Sequence, residues 1–167
     1  MEPLGAPAVR PVIVAVGAGS DADRIVDAAA AVARDLGSAL EVVRVRETVV
    51  IEELAIDAED AGSARAAVTA QLDRLAGHGV AATGAVLTSV GDHADAGRAL
   101  ARHAARVRAR TIALGRSPRG PLAQFADGSF TAALTHAAEG TVVLLDPERE
   151  PYELTADSLE RLRTRTN

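Results

Sequence analysis

The chain has 167 residues and a formal net charge of −5, from 18 basic and 23 acidic side chains, so it is not a globally basic nucleic-acid binder. All 18 basic residues are arginine, which excludes lysine chemistry such as a P-loop lysine or a Schiff base. The absence of cysteine excludes disulfides, thiol catalysis and thiolate metal sites, and one tyrosine with two phenylalanines is too few for base-stacking platforms.

The length suits one domain, assigned to residues 11–147, with an N-terminal arm of residues 1–10 and a C-terminal tail of residues 148–167. Nothing in the arm marks export, and the apolar run at residues 12–16 is too short to span a membrane. We therefore expect a cytoplasmic protein without a membrane partner. The 37 alanines indicate that helices pack closely against their neighbours.

The first half of the sequence alternates short apolar runs with helical patterns. Residues 11–16 are continuously apolar, which is typical of a strand buried on both faces. A glycine-rich turn at residues 17–21 follows, and apolar residues at helical spacing then predict a helix that ends at Gly37. Residues 40–45 predict a second strand. Residues 47–60 carry six acids and no base, which favours a loop with a short helical start.

The next predicted elements are a helix, a strand and a second helix. The first helix ends at residues 77–79, and residues 80–90 form the third predicted strand. Gly84 within that strand predicts a bulge or a close approach of another element. Asp92 is a capping residue for a helix that runs to about Val107.

The remaining elements complete the fold class. Residues 111–114 predict a fourth strand, residues 115–128 a loop, Ser129 the cap of a helix, and residues 141–145 a fifth strand. The tail at residues 148–167 has leucines at a spacing that permits a short helix. Five strands separated by four helices predict an α/β domain, with a mostly parallel sheet, right-handed crossovers and helices on both faces. Ligands bind such Rossmann-like sheets beyond the carboxyl ends of the strands.

The loop after the first strand matches a dinucleotide fingerprint. Gly17, Gly19 and Ala22 fit G-x-G-x-x-[G/A] between a strand and a helix, where glycines let the backbone approach a pyrophosphate. A tight turn capped by Ser20 or Asp21 explains the same residues and is the favoured interpretation.

The fingerprint leaves an NADP-type Rossmann enzyme open as one hypothesis. The acid expected after the second strand is Glu47, which stands behind Arg44 and Arg46. Arginines at this position would favour a phosphorylated ribose.

The loop after the fourth strand has the composition of an anion site. It leaves a strand at Gly115 and reaches a helix capped by Ser129, so backbone amides and hydroxyls converge, and Arg116 and Arg119 add positive charge. Residues 98–119 contain seven arginines and no acid. This predicts a positively charged entrance to the anion site, called the positive mouth below, in a protein that is acidic as a whole. Three of these arginines stand at i, i+4 and i+8 and are interpreted as a solvated helix face: Arg98, Arg102 and Arg106.

Three motifs in their order along residues 11–147 resemble the universal stress protein (UspA-like) family. Residues 115–131 resemble the G-x2-G-x9-G-[S/T] motif that its nucleotide-binding members carry before the last helix. Residues 91–96 resemble the G-D-x-x-x-A turn after the third strand, and residues 14–20 resemble the opening V-A-V-D-G-S.

The resemblance implies an adenine nucleotide alpha hydrolase-like sheet ordered 3-2-1-4-5, a homodimer paired through residues 141–145, and protein partners. It also implies ATP or another adenine nucleotide between the first and fourth strands. Glycines there allow close backbone approach, hydroxyls and arginines contact phosphate, and Val45 offers backbone contacts to a base. The implied site residues are Gly17, Gly19, Ser20, Val45, Gly115, Arg116, Ser117, Arg119, Gly120, Gly128, Ser129, Phe130 and Thr131.

Two departures from the family motifs predict weak or altered nucleotide binding. Pro118 stands at the second glycine position, where it has no N–H to donate, although Gly120 can supply a shifted turn. The acid of V-D-G-S, which contacts the adenosine in binding members, falls on Gly17 or Ala18. One lost charge-assisted hydrogen bond costs about 1.5–3 kcal/mol, or roughly ten- to a hundredfold in affinity.

Catalytic and metal sites are not predicted. The four histidines lack ligand spacing, and no serine stands at motif spacing from a histidine. We therefore interpret the protein as a regulatory or ligand-binding module rather than a turnover enzyme. Two alternatives remain: a family member that acts through dimerisation and protein partners without nucleotide, and the NADP-type enzyme.

Overall fold

The computed structural model describes residues 10–17, 21–115, 130–146 and 148–164. The strands are β1 (Val12–Ala15), β2 (Leu40–Ile51), β3 (Leu54–Asp57), β4 (Ala82–Val90), β5 (Thr111–Gly115), β6 (Thr141–Asp146) and β7 (Arg149–Leu154). The helices are α1 (Ala22–Asp35), α2 (Ala61–Gly77), α3 (His93–Arg106), α4 (Phe130–Ala137) and α5 (Ala156–Thr164). Within these ranges, no helix is long and apolar enough to cross a membrane.

The sheet contains the predicted parallel order and two additional strands. Parallel pairing runs β4-β2-β1-β5-β6, which confirms the order 3-2-1-4-5 for the five predicted strands. The prediction of five strands was incomplete, because β3 pairs antiparallel with the end of β2 and β7 pairs antiparallel with β6, giving seven strands.

The acidic segment was predicted wrongly as a loop with a helical start. Residues 48–51 are all β-branched and prolong β2, a composition that favours a strand. Glu52 and Glu53 form the turn into β3 with positive φ angles of 47° and 67°. Glu47 and Asp57 therefore lie in strands, Glu52 and Glu53 at the hairpin turn, and Glu59 and Asp60 just before α2.

Successive side chains of β1 point to opposite faces of the sheet, and both faces are buried, so every residue of the run is apolar. Val12 and Val14 pack with α1 and α2, whereas Ile13 packs against the other face together with Leu100 of α3 and Leu134 of α4. All five of these side chains are fully buried. The sheet is therefore covered by helices on both faces, as predicted.

Two glycines allow helices to approach their neighbours closely. A Cβ on Gly84 would overlap Val68 of α2, so of the two predicted alternatives the close approach is correct. A Cβ on Gly97 would overlap the carbonyl oxygen of Phe130, which brings the first turn of α4 against α3. Asp92 caps α3 as predicted: its carboxylate accepts from the amide of Asp95, and the Asp95 carboxylate accepts from the amide of Asp92.

The edge of β6 that is predicted to pair with a second protomer is bonded to β7. The pairing places Val142 beside Leu154 and Leu144 beside Tyr152. A homodimer through residues 141–145 stays a prediction, and it would require β7 to leave this edge.

Candidate functional site

The sheet changes direction at β1. One edge of β1 pairs with β2 and the other with β5, so the crossovers on its two sides run in opposite directions. Gly17 follows β1 and is exposed, and Gly115 is the last residue of β5. The carboxyl ends of strands at such a switch point are where open α/β sheets bind ligands.

Among the residues that the structure describes, the edge of β2 above this point has no backbone partner for Val45. The amide of Val16 donates to the carbonyl of Val43 at 2.9 Å, and further along the same edge the amide of Ala58 donates to the carbonyl of Glu47 at 3.0 Å. Because backbone groups of alternate residues point to the same edge, the N–H and C=O of Val45 lie between these two bonds. Val45 is thus the position where a planar group could hydrogen-bond to the sheet.

An ion-pair network lies beside Val45 on the α1/α2 face of the sheet. The guanidinium of Arg44 makes two bonds to the Glu59 carboxylate, at 2.8 and 2.9 Å, and donates to the Val16 carbonyl at 3.2 Å. Arg46 donates twice to the backbone carbonyl of Glu59 and pairs with Asp57 at 3.0 Å. The side chains of both arginines are only 10% exposed, and carboxylates of the same chain compensate their charges.

This network bears on the NADP hypothesis, which assigned Arg44 and Arg46 to a phosphorylated ribose. Both guanidinium groups already have carboxylate partners, and Glu47 pairs with His93 at 2.7 Å. Glu59 is the residue that sequence reasoning missed. Residues 47–60 contain six acids, and nothing in the sequence selects Glu59 among them as the partner of Arg44.

The other predicted site residues that the structure describes lie in the first turn of α4. Phe130 is half-buried, and Thr131 is only 1% exposed, so its hydroxyl is not at the surface. The backbone carbonyl of Thr131 accepts from Thr135 Oγ1 at 2.7 Å. The predicted residues that lie outside the described ranges are Gly19, Ser20, Arg116, Ser117, Arg119, Gly120, Gly128 and Ser129, together with Ala18 and Pro118.

The described arginines between residues 98 and 115 do not form the predicted positive mouth. Arg98 pairs with Asp95 at 2.6 Å on the exposed side of α3, and this hydrogen bond is the main cause that lowers the pKa of Asp95 below its usual 3.8. Arg106 ends α3, and Arg110 donates to the carbonyl of Leu36 at 3.2 Å just before β5 begins. Arg106 and Arg110 therefore lie at the amino end of the sheet, opposite the switch point.

The buried histidine of α3 is held by charged neighbours away from the switch point. His103 Nε2 lies 2.7 Å from Glu41 Oε1, and Arg106 donates to His103 Nδ1 at 2.9 Å. Since a guanidinium only donates, Nδ1 is the acceptor in this arrangement and Nε2–H donates to the carboxylate. Across the residues that the structure describes, no three histidine or acidic side chains are grouped so as to hold a metal ion.

The strand order defines an open α/β domain, and its switch point is the place where sheets of this class bind ligands. A sequence model of the universal stress protein family matches residues 8–146, and the chain belongs to this family. A search of curated proteins gave no match.

Solved structures of universal stress proteins share the fold. One from Archaeoglobus fulgidus in complex with dAMP is 21% identical, covers 84% of this chain and 100% of its own, and has a TM-score of 0.60. A family protein from Burkholderia pseudomallei is 20% identical, covers 84% and 98%, and has a TM-score of 0.56. A universal stress protein in complex with cAMP is 20% identical, covers 84% and 99%, and has a TM-score of 0.55.

Proposed function

We propose that this universal stress protein binds an adenine nucleotide at the carboxyl ends of β1 and β5, with the base against the backbone of Val45. The observation that carries the proposal is that, among the described residues, Val45 has no backbone partner on the β2 edge between the bonds of Val16 and Ala58. An adenine edge presents an amino donor beside a ring-nitrogen acceptor, which complements an adjacent backbone carbonyl and N–H.

The phosphate end of the ligand is assigned to the segment that begins at Gly115. This segment carries the family-like motif and leads into α4, whose first turn starts at Phe130. Two structurally similar family members are in complex with dAMP and cAMP, which supports an adenine nucleotide as the class of ligand. Because Pro118 and the missing acid at residues 17–18 remove two family contacts, we propose weak binding of ATP or a smaller adenine nucleotide.

The experiment is thermal unfolding of the full-length protein with AMP, dAMP, cAMP and ATP at millimolar concentration, followed by calorimetric titration. A ligand at ten times its dissociation constant stabilises the folded state by about 1.4 kcal/mol, which a melting curve resolves. Absence of a shift with every adenine nucleotide would overturn the proposal and favour the family member that acts through protein partners alone. NADPH fluorescence, titrated in parallel, tests the Rossmann alternative.

A pair of variants tests the assigned base position. Val45→Pro removes the backbone N–H that points to this edge of β2 and also exchanges the side chain, so circular dichroism first verifies that the variant folds. Val45→Ala keeps this N–H and is the matched control. We expect Val45→Ala to bind like the wild type and Val45→Pro to bind at least tenfold more weakly. Equal affinities of the two variants would place the base elsewhere.

We further propose a regulatory role in the cytoplasm, in which binding rather than turnover is the activity. The sequence has no lysine or cysteine, and two of its histidines, His93 and His103, are paired with Glu47 and Glu41. Sustained hydrolysis of ATP by the purified protein would contradict this part of the proposal.

A further inference from the structure

The hairpin formed by residues 48–57, which we call the β-arm, extends beyond the rest of the sheet. β4 ends where Val90 pairs with Thr48, and β1 ends where Ala15 pairs with Val43. Residues 49–51 therefore pair only with β3. Within the described ranges no further strand pairs with this part of the ribbon, and a two-stranded ribbon without further packing is marginally stable in water.

The β-arm carries most of the large apolar side chains that are exposed. The register pairs Val49 with Ile56 and Ile51 with Leu54, which puts all four on one face of the ribbon. Their exposed fractions are 41% for Val49, 46% for Ile56, 54% for Ile51 and 65% for Leu54. Val50 and Val90, at 56% and 63%, flank them on the other face. Over the described ranges, the only other large apolar residue with comparable exposure is Tyr152.

We propose that the β-arm is covered by a second copy of this protein, with the two arms packed antiparallel about a two-fold axis. A two-fold interface uses the same patch on both subunits, and an apolar patch is chemically complementary to itself. The four aliphatic side chains of this face present on the order of 400 Å² per protomer, so two copies cover about 800 Å² of apolar surface, which is close to the lower limit of a specific interface and fits a weak dimer. Val50 and Val90 lie on the opposite face and are not part of this contact.

The charges of the β-arm favour a second copy over a lipid surface and select the antiparallel orientation. Glu52 and Glu53 form its tip, and residues 47–57 contain no basic residue. An anionic membrane would repel this tip. Parallel arms would bring four tip carboxylates together, whereas antiparallel arms keep the two acidic tips apart.

This interface differs from the dimer predicted through residues 141–145, and a variant of the β-arm with a matched control tests it. Ile51→Glu with Leu54→Glu charges the apolar face of the β-arm. Tyr152→Glu introduces the same charge at an equally exposed apolar residue on β7, next to the β6 edge. Both sites are exposed, so neither variant removes a buried contact from the folded protein.

The experiment is sedimentation equilibrium of the full-length protein over a concentration series, with circular dichroism to verify folding. We expect the wild type and Tyr152→Glu to reach about twice the 17.1 kDa protomer mass at high concentration. The β-arm variant should dimerise at least tenfold more weakly, and Ile51→Ser with Leu54→Ser should weaken it in the same direction without added charge. A monomeric wild type at every concentration, or a dimer lost in Tyr152→Glu but kept in the β-arm variant, overturns the proposal.

Discussion

The ion pair between Arg44 and Glu59 gives the sharpest prediction about what holds the site together. Glu59→Ala removes both carboxylate bonds from the Arg44 side chain, which is 10% exposed, and among the described residues leaves it the Val16 carbonyl as acceptor. Breaking a buried ion pair by removing one partner costs about 3–5 kcal/mol, because the other charge stays desolvated. Since the Glu59 side chain is 23% exposed, water reaches part of the site, and we expect a loss of about 2–3 kcal/mol.

The assay is equilibrium urea unfolding of the wild type, Glu59→Ala, Arg44→Met and the double variant. Methionine keeps the packing of the arginine stem and removes the charge. We expect the double variant to lose less than the sum of the two single variants, with a coupling energy of about 2 kcal/mol. Asp27→Ala is the control, because its pair with Arg74 at 2.7 Å involves a carboxylate that is 55% exposed and is worth less than about 1 kcal/mol. A coupling energy near zero would refute this account of the network.

Two further predictions follow from helix packing and capping. Gly97→Ala should lower stability by about 1–3 kcal/mol and displace α4, because the new methyl group would overlap the carbonyl oxygen of Phe130, whereas Gly77→Ala meets no atom and should leave the melting temperature unchanged. Equal melting temperatures of these two variants would show that α3 and α4 are not so close. Asp60→Ala should lower the melting temperature at pH 7, because the Asp60 carboxylate accepts from Ser63 at the start of α2. These hydrogen bonds lower the pKa of Asp60 below 3.8, so its contribution is complete above that pH and is lost as the pH falls through the lowered pKa. Calorimetry at pH 7 and pH 3 should show the difference between wild type and variant shrinking, and a difference independent of pH would contradict the assignment.

The parallel core of the fold was predictable because its signals are local. The apolar run at residues 11–16, the cap at Asp92 and the glycine at position 84 each appear in the structure in the predicted role. The two added strands were not predictable in the same way. β7 contains Pro151 and three charged residues, and it is a strand because β6 offers it a free edge.

The sequence motifs indicated which loops border the candidate site, but not which side chains pair with each other around it. The order of strands places Gly17 and Gly115 at neighbouring strand ends, as the sequence motifs implied. The partner of Arg44 stands 15 residues away, and the partner of His103 stands 62 residues away. Such pairs depend on the path of the backbone between them, which composition and spacing do not encode.

The sequence by itself determined which chemistry this protein lacks and which strands form its interior. Absent lysine and cysteine remove whole classes of catalysis, and continuous apolar runs must be buried on both faces. Only the tertiary structure decided that Arg44 and Arg46 are neutralised, that Val45 has no backbone partner on one edge of β2 among the described residues, and that the acidic segment folds into an apolar β-arm. The physical reason is that charge and hydropathy belong to each residue, whereas pairing, burial and exposure belong to the neighbours that the fold supplies.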